Sequence, residues 1–243
     1  MIKVLLIGHG RMGQLIEKTI AADPEMEVTG IIDIDNTDDL FTLDKIADII
    51  IDFSSPAIFP LLSEYIKRTG TALLSGTTGY DENHFEQLRQ LGQYAPVMHS
   101  ANYSLGVAVF KRVLESISSL LYDEGFDIEV TEAHHNQKVD APSGTAKLLV
   151  EAIDPQHNCQ RVYGREGFTG IRPHNEIGVH AIRGGSVAGE HTVSFFGQDE
   201  TFEITHRATS RQIFVNGAVM AAKRLYNAQP GYYTLQQLLF PEN

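Results

Sequence analysis

The first hundred residues alternate between short apolar runs and longer stretches in which apolar positions recur at helical spacing. Val4-Leu5-Leu6-Ile7 fill a run at 3–7, Leu15, Ile16 and Ile20 follow three to five apart, and a second apolar run covers 28–34. A continuous apolar run of this length suits a strand buried on both faces, and its alternation with helices predicts a parallel, doubly wound α/β sheet. Further strands are expected at 46–53, 72–75 and 97–99, with helices at about 56–69 and from an Asp81 cap to about 94.

Beyond residue 104 the pattern changes. Residues 105–122 read as a long helix with Val109, Val113, Ile117 and Leu120 on one side, 127–132 as a strand, and Ser143 as the start of another helix. Residues 154–175, with several Gly, Pro and His, read as loop. Three strand-like runs then follow at 177–182, 191–196 and 201–208, with Arg183-Gly184-Gly185 and Gly197-Gln198-Asp199 between them. They predict a second, α+β domain with a mostly antiparallel sheet. An amphipathic helix is expected at 212–226. The predicted division is 1–104 plus 211–243 for the first domain and 105–210 for the second.

Composition narrows the classes. The 243 residues carry a formal net charge of −12, which argues against a nucleic-acid backbone as partner. Any site for an anion must therefore be locally basic. No apolar run is long enough to span a bilayer, and the start MIKVLLIGHG lacks the basic and cleavage regions of a signal peptide. Cys159 is the single cysteine, so no intrachain disulfide can form, and a cytoplasmic location is expected.

The first strand runs directly into Gly8-His9-Gly10-Arg11-Met12-Gly13 and then a helix. This is Gly-x-Gly-x-x-Gly in the strand–turn–helix setting that binds a dinucleotide. The first glycine permits the turn, the second admits the pyrophosphate and the third lets helix and strand pack closely. Asp33 lies 20 positions beyond Gly13, where a carboxylate would accept the adenosine ribose hydroxyls and repel a 2′-phosphate. No Lys or Arg occurs at 34–39, so NADH should be preferred and NADPH remain possible, with Arg11 the one nearby cation. Loops 53–56, 76–79 and 100–104 follow the expected strands on the same side, where doubly wound sheets bind ligands.

Residues 132–146 read EAHHNQKVDAPSGTA. His134 and His135 can carry a proton near neutral pH, Lys138 is a fixed cation, and the helix start at Gly144 and Thr145 suits an anion. A proton donor beside two anion-holding elements is a site for reducing or hydrating a carboxylate-bearing small molecule. Adjacent histidines on a strand point to opposite faces, and no His-Glu-x-x-His spacing occurs, so no metal is expected. Cys159 sits in a polar loop without a nucleophile elbow, which disfavours a semialdehyde dehydrogenase working through an acyl-enzyme. In a sensor that binds NAD(H) without turnover, the His-His-x-x-Lys loop would have no work to do.

The order His-His-x-x-Lys-x-Asp-x-Pro-Ser-Gly-Thr-Ala resembles the signature of the 4-hydroxy-tetrahydrodipicolinate reductase (dihydrodipicolinate reductase) family. Further matching pieces are Gly10-Arg11-Met12-Gly13, Asp52-Phe53-Ser54, Gly76-Thr77-Thr78-Gly79, Ala101-Asn102-Tyr103-Ser104, Arg183-Gly184-Gly185, Gly189-Glu190-His191-Thr192, Thr205-His206-Arg207-Ala208 and Pro230-Gly231-Tyr232-Tyr233. The glycine loop is one residue shorter than in many members, and the basic residue that follows the ribose acid in some dual-cofactor members is missing. The resemblance implies a Rossmann-type domain and a substrate-binding, tetramerising second domain. It also implies NAD(P)H-dependent reduction of a cyclic imine dicarboxylate in the lysine and diaminopimelate route. His134 would be the proton donor with Lys138 as its partner, and His135, Lys138, Gly144 and Thr145 would hold substrate carboxylates. Gly8, Gly10, Arg11, Met12, Gly13, Asp33, Phe53, Ser54, Gly76, Thr77, Thr78, Ala101, Asn102 and Tyr103 would contact the cofactor. Domain closure about hinges near 104–106 and 208–212 is a further expectation.

Overall fold

A computed structural model describes residues 1–241 and divides the chain into two compact units. One unit comprises residues 1–104 together with the chain from Gln212 onward, and the other Leu105–Arg211.

The first unit is a six-stranded parallel sheet. Its strands are β1 (Ile2–Ile7), β2 (Met26–Ile32), β3 (Ile49–Asp52), β4 (Ala72–Ser75), β5 (Pro96–His99) and, late in the chain, β11 (Gly231–Tyr233), ordered β11-β5-β4-β3-β1-β2. β1 lies between β2 and β3, so the strand order reverses between β1 and β3 and their carboxyl ends form the switch point of the sheet. The strands β1, β3 and β4 are almost wholly buried, as continuous apolar runs require. Helices α1 (Arg11–Ala21), α2 (Phe59–Thr69) and α3 (Glu82–Leu91) connect them. A single 3-10 turn, Pro56–Ile58, precedes α2, and Asp81 caps α3 by accepting the His84 N–H at 2.9 Å.

Two expected elements differ here and one is unexpected. β2 ends at Ile32 rather than 34, because the Asp33 N–H turns away to Asn36 Oδ1 at 2.7 Å. β3 is confined to the four residues that pair with β1, Val4↔Ile49 to Ile7↔Asp52. Residues 231–233, left without an element in the sequence reading, join the sheet edge with Tyr232 opposite Val97.

The second unit folds α4 (Leu105–Asp123) and α5 (Gly144–Ile153) over one face of a five-stranded sheet. The strands are β6 (Asp127–His134), β7 (Gln160–Val162), β8 (Glu176–Arg183), β9 (Gly189–Phe196) and β10 (Thr201–Ala208), in the order β10-β9-β6-β8-β7. The sheet is mixed, not mostly antiparallel. β9 runs against β6 and β10, whereas β8 lies parallel to both β6 and β7. The crossover through α5 brings the chain into β7, hidden in the loop-like 154–175, in the direction of β6, and the 163–175 connection returns it to the same end before β8 begins. Phe110, Leu114, Ile128, Val130, Leu149, Val179, Val193 and Phe195 form the core. The buried face of α4 is also rotated from the expected one. Val107, Phe110, Leu114 and Ser118 face inward, while Val109 and Leu120 are exposed, since the larger Phe110 and Leu114 win the burial.

The closing helices α6 (Gln212–Leu225) and α7 (Leu235–Leu239) belong to the first unit, where the Lys223 ammonium pairs with Asp23 and Glu25 at 2.6 Å.

Candidate active site

At the carboxyl ends of β1, β3, β4 and β5 the sequence places small residues, and the geometry explains them. Gly8 has φ +86°, and a Cβ there would lie 2.5 Å from the Phe53 carbonyl oxygen. A Cβ on Gly13 would lie 2.1 Å from the Gly8 carbonyl oxygen, so α1 packs hard against the turn. Gly10 is different. It is the cap residue of α1, makes no side-chain cap bond, and has nothing within 4 Å of its would-be Cβ. No acid occupies the first turn of α1, which opens with exposed Arg11 and partly buried Met12. The result is a helix N-terminus facing open space behind a glycine turn, which fits a pyrophosphate.

The neighbouring loops lock onto this turn. The Phe53 ring occupies the space that a Gly76 Cβ would need, 2.2 Å away, and its centroid lies 5.9 Å from that of Tyr103. The Ser54 N–H donates to Thr77 Oγ1 at 2.9 Å. Thr78 and Ala101 are exposed and Asn102 is partly so. Tyr103 is buried, its hydroxyl donating to the Ser75 carbonyl at 2.7 Å, so its ring supports the loops from beneath and leaves only main chain for a ligand. Asp33 is exposed just past β2. Under the loops lies Asp52, a fully buried carboxyl that accepts from Ser54 Oγ at 2.5 Å, Ser75 Oγ at 2.7 Å and Tyr80 OH at 3.4 Å. Burial pushes Asp52 above the ordinary aspartate value despite the Ser54 and Ser75 donors.

In the second unit the strand β6 outruns its expected end by two residues, so that His134 is its last member. Ile128, Val130, Glu132 and His134 share one face, the face that packs on α4 and α5. Glu132 is fully buried and saturated with donors. Its Oε2 accepts from His134 Nδ1 at 2.6 Å and Arg183 Nη1 at 2.8 Å, and its Oε1 from Arg183 Nη2 at 2.7 Å and the Ser143 N–H at 3.0 Å. The parallel β6–β8 register sets Arg183 opposite His134. Burial would raise the Glu132 carboxyl, but Arg183, His134 and the Ser143 N–H outweigh it and hold it below the ordinary glutamate value.

His191, opposite Glu132 on β9, completes the floor. Its Nε2 lies 3.1 Å from Ser143 Oγ, its ring meets that of His134 edge to face at 5.1 Å, and its buried Nδ1 has no partner. Burial first, then the His134 charge, pushes His191 down to about 4, so it is neutral near pH 7. Ser143 caps α5, its Oγ accepting the Ala146 N–H at 3.1 Å. Gly144 opens the helix with nothing within 4 Å of its would-be Cβ, Thr145 follows partly buried, and the first turn carries no acid. Lys138, in the loop between, pairs with Asp140 at 2.7 Å. His135 lies just beyond the strand, and its carbonyl accepts the Lys138 N–H at 3.1 Å.

The second unit thus brings His134, His135, Lys138, Gly144 and Thr145 into one stretch between β6 and α5, as the first unit gathers its loops at the switch point. Sequence reasoning missed the side chains underneath: Glu132, Arg183, Ser143 and His191 as partners, and Asp52 as a buried carboxyl. The available signal was parity. Glu132 has the same strand phase as Ile128 and Val130, and a carboxylate on a core face must have partners. Cys159 is buried, its N–H bound to Asp154 Oδ2 at 2.9 Å. Among the described residues no group of three His, Cys, Asp or Glu side chains is placed to hold a metal, and no helix is long and apolar enough to cross a membrane.

A parallel sheet with an open, glycine-lined helix start at its switch point, joined in one chain to a unit carrying a histidine–carboxylate pair, defines a nicotinamide-dependent oxidoreductase of the Rossmann class. Comparison with known proteins narrows the class. The family description "Dihydrodipicolinate reductase, N-terminus" matches residues 2–103 and "Dihydrodipicolinate reductase, C-terminus" residues 106–239. The 4-hydroxy-tetrahydrodipicolinate reductases of Staphylococcus epidermidis and Staphylococcus haemolyticus are 44% and 43% identical to this chain. Each alignment covers 97% of this chain, and 99% and 100% of the relative. A dipicolinate-bound dihydrodipicolinate reductase from Paenisporosarcina sp. TG-14 superposes with a TM-score of 0.77 over 99% of both chains at 21% identity. The chain belongs to the dihydrodipicolinate reductase family and is an NAD(P)H-dependent oxidoreductase of the lysine and diaminopimelate route.

Proposed function

We propose that this protein converts 4-hydroxy-tetrahydrodipicolinate to tetrahydrodipicolinate: the 4-hydroxyl leaves as water to give the conjugated dihydrodipicolinate, which then takes up a hydride from the cofactor and a proton from His134. The observation that carries the reading is the anchoring of His134 on buried Glu132, next to the Ser143-capped start of α5. When bound, the reduced nicotinamide supplies a hydride. Gly8, Gly10, Arg11, Met12 and Gly13 hold its pyrophosphate, Asp33 its adenosine ribose, and the loops at Phe53-Ser54, Gly76-Thr77-Thr78 and Ala101-Asn102-Tyr103 the rest. A hydride delivered to a conjugated imine leaves electron density that an acid must quench, and the acid within this stretch is the doubly protonated His134 ring, which keeps Nδ1–H on Glu132 and donates from Nε2. Lys138 exchanges its Asp140 partner for a substrate carboxylate, while His135 and the N–H groups of Gly144 and Thr145 hold the ring in place.

Asp33 and the lack of Lys or Arg at 34–39 support a preference for NADH, with NADPH as a weaker substrate. Assembly is as a homotetramer. The sheet face turned away from α4 and α5, with Ile182 54% and Phe196 42% exposed, supports docking of copies there, and light scattering on the eluting protein reports the mass. The reaction is placed in the cytoplasm, with no nucleic acid or membrane as partner.

The test is nicotinamide oxidation followed by absorbance, with substrate generated in situ from pyruvate and aspartate semialdehyde by the synthase. Turnover with a higher kcat/KM for NADH than for NADPH is expected, and Asp33→Ala should narrow that ratio. No turnover with either cofactor, in protein that binds NADH, would remove the reading.

A further inference from the structure

An imidazole at a strand end can swing about two side-chain bonds, and a proton donor gains rate by being held in one orientation. The His134 ring packs edge to face on His191, and an ion cluster fixes its rotation. All four donor bonds that reach the Glu132 carboxylate come from groups with other work: one from the His134 ring, two from the Arg183 fork and one from the Ser143 main chain that begins α5. An ionised carboxylate only accepts, so the proton between Glu132 and His134 sits on Nδ1. Nε2 is then the nitrogen left for chemistry. It points past Gly189, where a side chain would put Cβ 3.0 Å from it, and glycine leaves that edge of the ring open.

We propose that Glu132, fixed by the Arg183 fork, is the positioning residue of this site. It orients His134 with Nε2 outward; its bond from the Ser143 N–H, which a glutamine carbonyl oxygen would equally accept, fastens the carboxylate itself in place. Neither Glu132 nor Arg183 needs to touch substrate. The assignment rests on His134 being the proton donor, and it adds what makes that donor effective. The other ionisable neighbours do not compete for the role. His191 faces the His134 ring edge to face and binds Ser143 Oγ, His206 pairs opposite His191 on β10, and Lys138 is engaged with Asp140.

The experiment compares full-length wild type, His134→Gln, Glu132→Gln and the double variant. It uses steady-state kinetics together with 15N spectra of histidine-labelled protein, recorded without substrate or cofactor. The expected result is a kcat loss of roughly 10- to 100-fold for Glu132→Gln, a share of what a general acid contributes, with KM for substrate and NADH changed little. Glu132→Gln should cost nothing further in the His134→Gln background, and the His134 nitrogen signals should move from one tautomer toward a mixture of two. Full turnover in His134→Gln would remove the donor itself and the proposal with it. Lost turnover in His134→Gln with retained kcat in Glu132→Gln, an equal loss from Glu132→Gln in both backgrounds, or an unmoved His134 spectrum would each overturn the positioning role alone. Should Glu132→Gln fold poorly, Arg183→Lys keeps the charge and removes the fork. It is expected to lower kcat several-fold and shift the same signals, and wild-type kinetics with wild-type signals would overturn the proposal.

Discussion

Asp52 at the end of β3 and Glu132 near the end of β6 are both carboxyl groups with no exposed surface, and each ties a strand to the loops that follow it. Their partners differ in kind. Asp52 is held by the hydroxyls of Ser54, Ser75 and Tyr80, and burial raises its pKa. Glu132 is held by a guanidinium, an imidazole and a main-chain N–H, and its pKa falls. Hydroxyls can hold a carboxyl in either protonation state, so the first arrangement is a scaffold on which charge matters little. A guanidinium fork needs the anion, so in the second arrangement charge is the point.

Isosteric neutralisation is the strongest way to break that comparison. Glu132→Gln should lower stability by about 2–3 kcal/mol, because it weakens hydrogen bonds from charged donors and leaves the Arg183 side chain, 20% exposed, without its counter-ion. Asp52→Asn should stay within about 1 kcal/mol of wild type at neutral pH, because it removes a buried charge that had no cation. Urea unfolding of the two variants at pH 7.5 measures both. Equal losses would show that the two carboxyls do the same work.

Acid titration separates the two regions next. His191 binds a proton less readily in the fold, about 4 against an ordinary 6.5. The unfolded chain therefore takes up more protons in between, and the stability that a neutral His191 contributes is present above about pH 6.5 and lost as pH falls toward 4. The full span is worth about 3 kcal/mol. His99 and His206 are lowered by burial and act in the same direction, and Glu132 adds a loss at still lower pH as it falls through its depressed value. Asp52 has the opposite sign: its raised value favours the protonated fold as pH drops. Stability of wild type should thus fall between pH 6.5 and 4, and His191→Gln should flatten that fall. An unchanged slope in that variant would put the proton uptake elsewhere.

Much of this is legible in the sequence. Buried parallel strands announce themselves as Val4-Leu5-Leu6-Ile7 or Ile49-Ile50-Ile51 because burial on both faces demands it. The glycine turn and the His-His-x-x-Lys stretch are local in sequence, so their spacing could be read directly. The partners under the site were not legible, because they are remote: Arg183 and His191 reach Glu132 only through the β6–β8 and β6–β9 registers, which no local spacing reveals. The face of α4 was misjudged for a related reason. Two apolar stripes one residue apart compete on that helix, and the larger side chains decide which is buried.

The smallest expected effect gives the sharpest comparison of the two units, since each has one glycine at a helix start with open space around it. Gly10 caps α1 and Gly144 opens α5, and no atom lies within 4 Å of either would-be Cβ. Alanine at these positions costs the fold nothing through contact, and at Gly144 it favours the helix by about 0.5–1 kcal/mol. Any loss must therefore fall on the ligand whose anion approaches that N-terminus. Gly10→Ala should raise the NADH dissociation constant several-fold with substrate KM unchanged. Gly144→Ala should raise substrate KM several-fold with NADH binding unchanged. Fluorescence titration of NADH and steady-state kinetics on both variants give the four numbers. A crossed result, with Gly144→Ala weakening NADH alone, would exchange the roles of the two units. Loss of both affinities from either variant would mean that the two helix starts serve a single ligand, and the division of cofactor and substrate between them would have to be given up.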